Sequence, residues 1–133
     1  MMQCVVRLAD FHAVRELDSI KDALQAMRVR DSRGCNSFWL TRGDSEHPQL
    51  AVLVKNDLAC VHHFPKKSGV SYQSVGTLGA MIGDNTTRFF ISAENDEVEV
   101  LNTAIVPFTV ALEAVEHFLH TGDRLPSMDW LEL

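Results

Sequence analysis

A chain of 133 residues can bury one sizeable core but leaves no room for a separate catalytic domain beside it. Its 46% hydrophobic and 23% charged residues are ordinary globular values that exclude extended disorder, and no apolar run approaches the roughly 20 residues of a membrane span. The net charge of −6 is uneven: residues 1–88 carry eleven Lys or Arg against nine Asp or Glu, whereas residues 89–133 carry one, Arg124, against nine, which disfavours a phosphate backbone as partner and suits a basic protein or simple solubility.

The opening "MMQCVVRLAD" has an apolar run too short for a signal-peptide core, broken by Arg7 and Asp10, so a cytoplasmic location is expected. Cys4, Cys35 and Cys60 are an odd number without close pairing and read as reduced, partly buried thiols. "VVRLA" predicts a first strand. In "DSIKDALQAMRV", Ile20, Ala23, Leu24 and Met27 keep helical spacing, with Asp18 or Ser19 as N-cap. "NSFWLT" predicts a strand carrying Trp39, and "RGDSEHP" a loop.

"QLAVLV" and "LACVHHF" predict a hairpin turning at Asn56 and Asp57, residues that tolerate left-handed backbone. Cysteine and paired histidines raise the question of a metal or a nucleophile. On a strand, however, His62 and His63 face opposite ways, and Cys60 shares a side with His62 only. No second ligand pair at metal spacing accompanies them, and an apolar run should raise the Cys60 pKa, so neither a metal, a cofactor nor a catalytic thiol is expected.

Residues 65–87 hold Gly69, Gly76, Gly79 and Gly83 without the Lys-Ser/Thr ending of a phosphate loop, and predict a short strand, "VSYQSV", before a glycine-rich loop. "RFFIS" predicts another strand. In "NDEVEV", alternation places Glu97 and Glu99 on one face and Val98 and Val100 on the other. "VPFTVALEAVEHFLHTG" is the strongest helix: Phe108, Ala111, Leu112, Val115, Phe118 and Leu119 form an apolar stripe, Pro107 suits the first turn and Gly122 the position past the end. Glu113, His117 and His120 fall on its polar side and lack the supporting ligands of a metal face. Trp130 anchors a short closing strand. The sum is a single α+β domain over residues 1–133, a mainly antiparallel sheet of about five or six strands with two helices.

"HPQLAVLVKNDLACVHHF", "YQSVG", the late helix and the close "RLPSMDW", in this order over roughly residues 35–133, resemble the first-numbered family of bacterial polymorphic-toxin immunity proteins. The resemblance implies a non-enzymatic cytosolic inhibitor that binds a cognate toxin domain, expected to be basic and a nucleic-acid deaminase, and blocks its active site or substrate access. The expected toxin-facing surface combines Tyr72, Gln73, Ser74 and Asp84 with carboxylates from Glu94, Asp96, Glu97 and Glu99, since loops on a rigid sheet carry recognition and tyrosine offers a large amphipathic contact. The alternatives are an adaptor domain with another partner and a small hydrolase using His62, His63 or the His117 helix.

Overall fold

The computed structural model describes residues 6–76 and 85–133; Cys4, Gly79, Gly83 and Asp84 lie outside them. Among the described residues an antiparallel sheet contains β1 (Val6–Ala9), β2 (Val14–Leu17), β3 (Cys35–Arg42), β4 (Gln49–Lys55), β5 (Leu58–Phe64), β6 (Tyr72–Val75) and β10 (Asp129–Glu132), in the order β10-β6-β5-β4-β3-β1-β2, with β9 (Val106–Pro107) pairing onto β5. β7 (Thr86–Phe90) and β8 (Glu97–Leu101) form a separate two-stranded sheet. The expected α+β class holds, with more strands than the five or six read from the sequence, because several are only two to four residues long.

The β4–β5 hairpin turns where expected, with Asn56 at φ 53°. Two helices cover one face of the large sheet. The first, α1 (Ile20–Ala26), starts at Ser19, whose hydroxyl accepts from the Asp22 amide at 3.1 Å. The second, α2 (Phe108–Thr121), begins after Pro107, which acts as N-cap and not as a first-turn residue, and stops at Gly122 in the left-handed region at φ 80°. Alternate residues of the central strands, Phe38 and Leu40, Val52 and Val54, Ala59 and Val61, point at these helices and bury against Ala111, Val115, Phe118 and Leu119.

Among the described residues the opposite face is covered over half its extent only. The β7–β8 hairpin packs on β3 and β4, and Phe89, Val100 and Ile105 bury against Leu53 and Cys60. Hydrogen bonds fix its tip: Arg33 donates to the Glu94 and Ser92 carbonyls at 2.7 and 3.1 Å, its guanidinium lies 3.7 Å from the Phe90 ring centre, and the Ser37 hydroxyl donates to the Ile91 carbonyl at 3.2 Å. Gly76 passes so close to Ile105 that a β-carbon there would run into the Ile105 carbonyl. No helix among the described residues is long and apolar enough to cross a membrane.

Candidate functional site

Register places the uncovered half of the second face. Val14 pairs with Ala9, Ala9 with Trp39, Trp39 with Ala51, Ala51 with His62, His62 with Gln73 and Gln73 with Leu131, a row crossing all seven strands of the main order. Directly paired residues share a face, and this face is the one whose other end the hairpin covers, because Leu53 and Cys60 are two residues from Ala51 and His62 along the same strands. A parallel row runs Glu16, Arg7, Thr41, Gln49, Phe64. The Phe64 ring stacks between two others, 6.4 Å from Trp39 and 6.1 Å from His62, over the small Ala51. Exposure is highest at the two ends of the long row and at its indole, with Val14 69% exposed, Leu131 52% and Trp39 38%, whereas Ala51 and Thr41 are covered by their neighbours at 3% and 7%.

The two histidines diverge as expected. His62 lies on the open face and accepts from the Gln73 side-chain amide at 2.9 Å, which requires a neutral ring, and burial pushes its pKa below the ordinary value. His63 faces α2, edge-on to Phe118 at 5.8 Å, and its Nε2–H donates to the Gly122 carbonyl at 3.1 Å. Burial pushes the Cys60 thiol up to about 12, a hydrogen bond with Ser74 opposing only in part, so it is an inert core group. Alkylation at pH 8 followed by mass-spectrometric mapping should leave Cys60 unmodified in the folded protein and modify it fully in denaturant; labelling of the folded protein at the rate of a free thiol would contradict this burial. Among the described residues no three His, Cys, Asp or Glu are grouped to hold a metal ion.

The expected toxin-facing residues are not brought to one patch. Gln73 is on the open face. Tyr72, one residue earlier, turns to the helix side, where the Arg124 guanidinium sits 3.6 Å from its ring centre and His63 lies 6.3 Å away. Ser74 is corrected: at 1% exposure its hydroxyl donates to the Ala104 carbonyl at 2.7 Å and accepts from the Val61 amide at 3.0 Å, so it joins β6 to its neighbours and presents nothing to a partner. Glu94 and Asp96 lie at the hairpin tip beside Arg33, where Asp96 accepts from the Ser92 hydroxyl at 2.6 Å. Glu97 and Glu99 are exposed on the hairpin's outer face, Glu99 paired with Arg88 at 3.6 Å. Asp84 is outside the described residues. The aromatic floor of Trp39, Phe64 and His62 went unread as a site; the signal was present in the register of "NSFWLT" against "HHF", which takes both strand pairings to see.

A scan against protein-family models finds no match. The chain is similar to the double-stranded DNA deaminase immunity protein of Burkholderia cenocepacia (strain H111). Identity is 27% over 124 residues, covering 93% of this chain and 97% of that protein. The likeness is longer than the 35–133 span of the motifs above, so it takes in part of the β1–α1 region as well. The resemblance seen in the motifs is thus matched by a named immunity protein over nearly the whole chain.

Proposed function

We propose that this protein is an immunity protein that binds a double-stranded DNA deaminase toxin and blocks its active site or its access to DNA. The carrying observation is the similarity to an immunity protein of that name over 93% of the chain. The chemistry of the fold supports a binding role: the groups that suggested catalysis are spent on structure, Cys60 in the core, His62 on Gln73 and His63 on Gly122. Protection of the producing cell would require the inhibitor where the toxin reaches DNA, so the proposed place of action is the cytoplasm. The test is to mix the purified protein with its cognate deaminase domain and to follow deamination of double-stranded DNA. Suppression at equimolar protein is expected; full activity in the presence of excess protein would overturn the reading.

The hairpin carboxylates serve this function through encounter. A toxin that acts on DNA presents a basic cleft, and exposed Glu97 and Glu99 attract it before contact. Reversing both to Lys should slow association by about tenfold at low salt, with a smaller effect at high salt, and leave the lifetime of the complex nearly unchanged. Binding kinetics at two salt concentrations measure this, and equal association rates for variant and parent at low salt would reduce the pair to solvated surface.

A further inference from the structure

Resting on the function proposed above, the geometry points to the open half of the sheet, anchored by Trp39, as the centre of the interface with the deaminase domain, in place of the Tyr72 loop and the hairpin acids. Three features of this face carry the inference.

The first is its chemistry. Interface centres are depleted of charge and enriched in aromatic side chains that a partner can desolvate. The two rows hold Trp39, Phe64 and His62 around Ala51, and the only cation in them, Arg7, is matched by Glu16 at 3.5 Å. A nucleic-acid backbone therefore finds no unpaired cation in either row.

The second is unspent hydrogen bonding. Among the described residues the Thr41 hydroxyl and the Gln49 amide have no side-chain hydrogen bond, although both stand in the row beside the rings. A protein partner's backbone or side-chain groups can satisfy them; a purely apolar occupant would leave them buried and unpaired.

The third is area, which separates the deaminase domain from a second copy of this chain. Six steps of about 4.8 Å between strands make the long row roughly 29 Å and four make the second row roughly 19 Å, and at about 6.7 Å of strand per row the two cover on the order of 300 Å². That is the size of the largest apolar patch on a typical monomer, and such patches are commonly functional. An obligate dimer of like chains buries more than about 1,000 Å² per partner, about three times what the face offers, and the hairpin bounds it on one side. A complex of standard size needs about 800 Å² per partner, for which this face supplies the dry centre and the loops 43–48 and 65–71, at the same end of the sheet, the polar rim.

The experiment measures the lifetime of the complex between the full chain and its cognate deaminase domain, for the parent, Trp39→Ala and Gln73→Arg, with circular dichroism and melting to confirm folding. Trp39→Ala should dissociate at least about thirtyfold faster, as for an interface hot spot, and Gln73→Arg should weaken binding comparably by placing a charge in the row. Should Trp39→Ala fail to fold, Val14→Glu, at a position 69% exposed, takes its place beside Gln73→Arg. A parent that binds tightly together with variants of parental lifetime overturns the surface and leaves the function standing. A parent that does not bind overturns the function and the surface with it. A parent that sediments as a dimer, dissociated by Trp39→Ala, assigns the face to a second copy and likewise overturns the inference.

Discussion

Phe118→Ala is expected to destabilise the protein by about 3–5 kcal/mol, a large part of the 5–15 kcal/mol that typically separates folded from unfolded domains. Phe118 is fully buried, on the stripe of α2 that also carries Ala111, Ala114, Val115 and Leu119, and packs against the helix-facing residues of the central strands. Its ring also closes edge-on over His63, so truncation opens a cavity beside a buried polar ring and removes the wall that keeps water from it. Collapse is difficult, because the helix is held at both ends: the Phe108 amide donates to the Asp57 carbonyl at 2.7 Å, and the Gly122 carbonyl takes the His63 bond at 3.1 Å. Denaturant titration should show a lower midpoint with an unchanged slope. A variant with the parental midpoint would mean that α2 does not seal this core. Toxin protection should fall with the folded fraction, while binding per folded molecule stays near parental because Phe118 faces away from the open surface.

The elements that were readable in advance were those whose pattern is local. The α2 stripe repeats over four turns and ends at a glycine, and Ser19 followed by a helical apolar spacing marks α1. The β4–β5 hairpin is announced by Asn56 and Asp57 between two apolar runs. By contrast, "VREL" of β2 has four residues of which none is fully buried, only Leu17 packing partly against the core, and its apolar residues stand at the two ends and do not alternate. Its real signal is Asp10, whose carboxylate accepts from the His12 and Ala13 amides at 2.8 and 3.0 Å and folds the chain back onto β1. β9 is two residues recruited by β5, an outcome of packing that no local pattern specifies.

The expected surface was less legible, for a related reason. The expected surface groups residues close in sequence as though they face one way, but Tyr72, Gln73 and Ser74 alternate along a strand, so only Gln73 reaches the open face. Ser74 reads from the sequence as a polar loop residue and is in fact spent inside, because β6 departs from β5 after two paired residues and its hydroxyl replaces the missing ladder partner of Val61. The hairpin acids were correctly read as outward-facing, yet which side of the large sheet the hairpin covers depends on Phe89 and Ile105 meeting Leu53 and Cys60, contacts between distant segments. That covering decides which half of the sheet stays open, and with it where a partner can dock.

Lowering the pH from 7.5 to 5.5 should destabilise the protein, with His63 as a principal cause. The ring is 3% exposed; its Nε2–H donates to the Gly122 carbonyl, and its Nδ1 has no hydrogen-bond partner. Protonation would place a second N–H at Nδ1 where nothing accepts it, and a charge inside an apolar wall. Burial accordingly holds the His63 pKa below the ordinary 6.5, with Arg124 adding to the effect and the Gly122 bond and Asp123 opposing it. Burial lowers that of His62 in the same direction. The sign follows from proton binding. Above 6.5 both states are neutral and stability is at its full value; as pH falls below 6.5 the unfolded chain takes up protons that the folded one refuses, and stability is lost until the folded pKa is reached. Each histidine can remove at most about 1.4 kcal/mol per pH unit in that window. Asp31 does not blur the measurement: partial burial works against it, but hydrogen bonds from Arg33 and the backbone of Cys35 hold its pKa below 3.8, so its contribution is lost only at more acid pH. Denaturant titrations at pH 7.5 and 5.5 on the parent and on His63→Gln, which cannot titrate, make the comparison. The parent should lose stability and the variant should lose less. Equal losses in both would move the effect to His62 or elsewhere, and a parent equally stable at both pH values would mean that the buried Nδ1 has found a partner.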